Sequence, residues 1–165
     1  MDSTRQQSIW SGIFRKPGDW HQQVADLWSQ TPFFQNIPKR EIIKLSHNMH
    51  LRHYAAEEYI FHAGDQGAGA AIILQGDVEI RFQDTLLAHL TGGDFFGEIA
   101  LVLDERRTAD AIAVKPVDLV FFLRPDFEEW VNRAPQHGAK LSANLAHVLA
   151  RRLLHTNQMM ASDKQ

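Results

Sequence analysis

A chain of 165 residues has the length of one domain with room for an appendage. Its 44% hydrophobic and 22% charged residues suit an ordinary globular protein, and no apolar run nears the roughly 18 residues that span a bilayer. The absence of cysteine excludes disulfides and thiolate zinc sites, and a net charge of −3 supplies no overall basic field to gather nucleic acid.

The opening residues "MDSTRQQSIW" lack the basic and apolar regions of a signal peptide, so a cytoplasmic location is expected. Trp10, Phe14 and the following "RKPGDW", Arg15 to Trp20, either dock a partner or pack on the domain. Trp20, Val24, Leu27 and Trp28 recur at helical spacing and predict an amphipathic helix that stops before Pro32. "PKREIIKLSHNM" predicts a second helix opened by Pro38, with Ile42, Leu45 and Met49 on one side.

From about Leu51 to Leu123 the pattern changes. Turn signals at Gly64-Asp65, Gly67, Gly69, Gly76-Asp77, Gln83-Asp84, Gly92-Gly93 and Lys115-Pro116 separate runs of strand length. Those runs are "YIFH", "AAIILQ", "DVEIRF", "TLLAHL", "ADAIAV" and "DLVFFL". Short strands at this spacing each bury one face and need a facing sheet, which predicts an antiparallel β-jelly-roll barrel. Helical pattern then returns in "DFEEWVNRA" and in a long segment from Gln136 to about Met160, where Leu141, Leu145, Leu149 and Leu153 recur every four residues beside Val148. That stripe either folds back on the barrel or meets another subunit. The fold class is therefore mainly β with flanking helices. An N-terminal segment (1–31), a barrel (32–134) and a long C-terminal helix (135–165) are the expected parts.

His47, His50 and His53, with Glu57 or Glu58, invite a metal reading, but the His-x-His pattern of cupin sites is missing, so no metal site is expected. No serine sits in a Gly-x-Ser-x-Gly elbow, and nothing else points to an enzyme.

The densest chemistry lies in "GGDFFGEIALVLDERRTADAIA", Gly92 to Ala113. A short helix over "IALVL" would point N-terminal amides at an anion, and an arginine can grip a phosphate with two parallel hydrogen bonds. Glu98 would repel that phosphate unless the ligand also carries hydroxyls for it to accept, a combination that describes a nucleotide. The simpler alternative has Glu98 capping the short helix and pairing with an arginine while the apolar run fills core.

This stretch resembles the phosphate-binding cassette of the cyclic nucleotide-binding domain family. "PFFQNIPKREIIKLSHNM" resembles the family's helical lead-in and "YIFHAGDQGAGAAIILQGDVEI" its first hairpins, so the resemblance covers about Pro32 to Arg152. It implies that Gly97 and Glu98 match the Gly-Glu pair whose glutamate binds the ribose 2′-hydroxyl, and that Arg107 matches the arginine for the exocyclic phosphate oxygens. Ile99 and Ala100 match the backbone that meets the phosphate, and Thr108 and Ala109 the small residues closing the cassette; Arg106 is then solvated or ion-paired. Two departures are "AGAA", Ala68 to Ala71, where larger residues are common and one barrel wall loosens, and Asp110, expected to point outward.

"LARRLLHTNQ" resembles the dimer helix of the bacterial catabolite activator branch, which implies that Thr156 and Asn157 contact the base, partly across a dimer. The branch continues into a helix-turn-helix where this sequence stops at Gln165, so DNA binding by this chain is not expected. The resemblance implies a stand-alone regulatory domain without cofactor or catalysis. Its expected ligand is cyclic AMP in preference to cyclic GMP, and ligand binding is coupled to movement of the flanking helices. A protein partner or a homodimer would form through the C-terminal helix. The competing reading is a ligand-independent protein interaction module on the same scaffold, and a cupin-type metalloenzyme ranks last.

Overall fold

The computed structural model describes residues 20–162; Trp10, Phe14 and Arg15 to Asp19, the candidate docking segment, lie outside them. Helix α1 (Trp20–Ser29) buries Val24 and Trp28 of the expected stripe, together with Ala25, while Trp20 and Leu27 are partly buried against the same core. Thr31 then leads into a 3-10 turn, Pro32–Phe34, whose phenylalanines are both buried. Trp28 stacks on Phe34 with centroids 4.2 Å apart. Helix α2 (Lys39–Ser46) starts after Pro38, and Ile42 and Leu45 enter the same core as Met49.

Eight strands follow: β1 (His50–Tyr54), β2 (Tyr59–Phe61), β3 (Gly69–Gln75), β4 (Val78–Phe82), β5 (Thr85–Leu90), β6 (Phe95–Phe96), β7 (Asp110–Ala113) and β8 (Val117–Leu123). They form two four-stranded sheets, ordered β1-β8-β3-β6 and β2-β7-β4-β5, with every pairing antiparallel. This is the expected two-sheet barrel, with two strands, β1 and the two-residue β6, that the strand-sized runs did not include. "HLRHY" alternates with mostly exposed side chains, so it carried little apolar signal.

The residues of β3 and β8 divide between two cores with the strand period of two. Ala71, Ile73, Val117 and Leu119 face the space between the sheets. Ala70, Ile72, Leu74, Val120 and Phe122 face the helices. Burial on both faces explains why "AAIILQ" reads as a continuous apolar run rather than an alternation. Ala70 and Ala71, both buried, stand opposite large residues in the register: Ala70 pairs with Phe122, and Ala71 with Phe121 and Phe96.

Helix α3 (Arg124–Arg133) and the 28-residue helix α4 (Pro135–Ser162) close the fold. The leucine stripe of α4 divides. Leu141 and Leu145 are buried in the helical core and Leu149 packs against it, whereas Leu153 is 62% exposed. Asn144 fastens the buried half by donating from Nδ2 to the carbonyls of Phe33 (3.0 Å) and Gln35 (2.8 Å). Among the described residues, no helix is long and apolar enough to cross a membrane.

Candidate functional site

After β6 the chain reverses through Gly97, whose φ of 75° and ψ of 17° lie in the left-handed region. A Cβ at this position would sit 2.5 Å from Arg107 Nη1 and 3.2 Å from the Gly69 carbonyl. The following residues form a 3-10 turn, Glu98–Leu101, tucked against β3. Its apolar side chains divide, with Ala100 and Leu101 buried and Ile99 exposed. The Ala100 amide donates to the Gly97 carbonyl at 3.1 Å, so the turn itself uses one of the amides expected to face an anion.

Glu98 is only 3% exposed. Its Oε1 is held by Nη1 of Arg152 on α4, while Oε2 is buried with no hydrogen-bond partner among the described residues. The expected pairing of this glutamate with an arginine therefore exists, but its partner comes from the C-terminal helix and not from the cassette. Arg152 also donates to the Phe95 carbonyl (3.2 Å) and lies over the Phe95 ring at 5.1 Å.

Arg107 is threaded into the same region. Its Nη2 donates to the Gly69 carbonyl at 2.8 Å, its Nη1 lies 3.5 Å from the Gly97 carbonyl, and its guanidinium sits 4.2 Å from the centre of the Phe61 ring. Its Nε is buried without a partner among the described residues. Burial pulls the guanidinium below its usual pKa, against the opposing pull of Asp65 and Glu98, yet an arginine stays a cation in a protein.

These groups line one cavity of about 720 Å³, within the range of about 300–1,000 Å³ typical of small-ligand sites. Gly97, Glu98, Ile99, Ala100, Arg107, Thr108, Ala109 and Thr156 all line it; Asn157, also proposed from the sequence, does not. Thr156 Oγ1 donates to the Arg152 carbonyl at 3.0 Å. The far wall is apolar and comes from Phe61, Ile80, Leu87 and Leu90.

Sequence reading missed that wall and Arg152. Arg152 precedes Thr156 by one helical turn, so the two share a face of α4, and that spacing is the signal that finds it. Arg106 is exposed to solvent, as expected, and donates to the Gly64 carbonyl at 2.7 Å. Asp110 lies on the outer face of β7, opposite the buried Ala111 and Ala113, as expected, and there it accepts the Ala63 amide at 2.7 Å. The histidines do not converge. His47 bonds the Ile43 carbonyl, while His50 and His53 meet Asp126 and Asp118 separately.

Residues 51–134, half of the chain, match the family described as Cyclic nucleotide-binding domain. The chain belongs to that family. The cyclic nucleotide-binding relatives include the Cyclic AMP receptor protein of Thermus thermophilus, 30% identical over 128 residues. That alignment takes in 74% of this chain and 57% of the relative. The cGMP-dependent protein kinase, isozyme 1, of Drosophila melanogaster is 34% identical over 92 residues, which are 52% of this chain and 12% of the kinase. The chain thus spans less than two thirds of either protein. The crystal structure of a cyclic nucleotide-binding domain from Methylobacillus flagellatus aligns with a TM-score of 0.76 at 18% identity, covering 88% of this chain and 84% of that one. At that identity the likeness speaks for the fold, and it is the jelly-roll fold of the family.

Proposed function

We propose that this chain is a regulatory domain that binds a purine 3′,5′-cyclic nucleotide, cyclic AMP in preference to cyclic GMP, and couples that binding to α4. The observation that carries the reading is one cavity lined by both a buried carboxylate, Glu98, and a half-buried guanidinium, Arg107, whose Oε2 and Nε have no partner among the described residues. A buried polar atom left unpaired costs free energy, so a ligand that satisfies it binds with that gain.

In this reading Glu98 accepts a hydrogen bond from the ribose hydroxyl, and Arg107 turns from its carbonyl partners to the phosphate. Gly97, Ile99, Ala100, Thr108 and Ala109 form the close-fitting backbone around that phosphate. Thr156 meets the base, and Asn157, on the outer side of α4, reaches the second ligand across a dimer. The Thermus relative named for cyclic AMP supports the preference. Leu153, Leu154 and Met160, all exposed on α4, supply the apolar surface for a homodimer or a protein partner. The domain acts as a cytoplasmic receptor and performs no covalent chemistry.

A ligand moves such a protein only through unequal affinity for two states. Arg152 is the lever, because it holds Glu98 from α4 and must share that carboxylate with the incoming hydroxyl. Calorimetric titration with cyclic AMP and cyclic GMP tests the proposal. Arg107→Ala loses a charge-assisted phosphate contact of about 1.5–3 kcal/mol, or roughly one to two decades of affinity. A folded Arg107→Ala protein that binds as tightly as wild type removes Arg107 from the site.

A further inference from the structure

Two arginines cross-tie the same pair of segments. Arg107, inside the cavity, reaches the carbonyls of Gly69 and Gly97. Arg124, the first residue of α3 and not part of the cavity lining, spans the neighbouring positions: Nε donates to the Ala100 carbonyl at 2.8 Å and Nη2 to the Gly67 carbonyl at 2.7 Å. Between those ties the Arg124 amide donates to the Ala68 carbonyl at 2.9 Å. Three successive carbonyls at the entry to β3 are therefore held by these two arginines.

The outer tie is itself anchored. Arg124 Nη2 lies 3.0 Å from Asp104 Oδ1, which also accepts from Gln66 Nε2 at 2.7 Å. The Arg124 side chain is 18% exposed, so its charge-assisted bonds are weakened less by solvent than those of a surface pair.

We propose that Arg124 is a positioning residue that acts through Arg107. This rests on the reading of the cavity as a cyclic nucleotide site. A guanidinium that turns to a phosphate gives up its carbonyl partners, and the inner tie between residues 67–69 and 97–100 is then lost. Arg124 touches no ligand and keeps its bonds throughout. It holds the two segments at the separation from which Arg107 can reach the phosphate, so the geometry is set before the ligand arrives.

A double-mutant cycle separates positioning from general support of the fold. Cyclic AMP is titrated into wild type, Arg107→Ala, Arg124→Gln and the double variant. Arg124→Gln is expected to weaken binding about tenfold beside an intact Arg107 and less than about twofold once Arg107 is gone. Wild-type affinity in Arg124→Gln, or the same loss in both backgrounds, overturns the assignment. Should Arg124→Gln fail to fold, Asp104→Asn replaces it in the cycle, with an expected loss of about threefold that again depends on Arg107; no loss, or a loss independent of Arg107, overturns it. A folded wild-type protein that takes up neither cyclic AMP nor cyclic GMP overturns the ligand reading and this proposal with it. Binding by wild type with no effect at Arg124 overturns this proposal alone.

Discussion

Glu98 and Gly97 face opposite problems at adjacent positions. A carboxylate that is 3% exposed must be compensated, since desolvating an ion costs several kcal/mol, and Arg152 supplies the opposite charge. Gly97 must adopt a left-handed backbone and leave room for Arg107 Nη1. Gly97→Ala is therefore expected to cost about 1–2 kcal/mol of stability from its backbone alone and to weaken nucleotide binding further by displacing the guanidinium. Denaturant unfolding and titration measure the two effects separately, and a variant with unchanged affinity would show that Arg107 tolerates the methyl group. Glu98 and Arg107 were legible as candidates in the sequence because both lie on one short segment, where a carboxylate beside a phosphate-gripping arginine fits only a ligand that also carries hydroxyls. Arg152 and Arg124 were not, because their partners are fixed by packing between elements distant in sequence, and no local pattern encodes it.

At the scale of elements, period and length revealed most helices and strands, while burial had to be seen. The four leucines of α4 look equivalent in sequence, yet Leu141 is 0% and Leu153 is 62% exposed. Leu141→Ala is expected to cost about 2–5 kcal/mol by leaving a cavity, and Leu153→Ala less than about 0.5 kcal/mol in the monomer; equal thermal shifts would contradict this division of the helix. The joint between α1 and α2 carries a pH dependence. His21 lies between Trp20 and His47, with ring centroids 3.7 Å and 4.5 Å away, and its Nδ1 is 2.8 Å from Ser46 Oγ. Burial, then the charge of His47, hold His21 below its ordinary value of 6.5, against the hydrogen bond at Ser46. The folded protein thus takes up this proton less readily than the unfolded chain. The stabilisation is intact above 6.5 and is lost as pH falls through the lowered folded value. Acidification from about pH 7 to about pH 5 should lower the melting temperature less in His47→Gln than in wild type. Parallel curves would exclude His47 as a cause.

Across the whole molecule, aromatic contacts link the helical layer to the cavity. Trp28 packs on Phe33 and Phe34, Phe33 stacks on Phe95 at 5.4 Å, and Arg152 covers the other contact of that ring on its way to Glu98. No run of residues announces this path, because it joins an N-terminal turn, a two-residue strand and the C-terminal helix.

The Glu98–Arg152 pair also sets a clock. A nucleotide that reaches the cavity finds Oε1 of Glu98 tied to Arg152 and the free Oε2 buried, so capture waits for the pair to shift and expose that oxygen. In rapid mixing the observed rate should rise with cyclic AMP concentration and then level off at the opening rate of the pair, whereas Arg152→Ala should keep rising toward the collision limit. A straight line in wild type would mean that the ion pair does not delay entry. With the plateau, the speed of response to a pulse of nucleotide is written into one contact on the last helix.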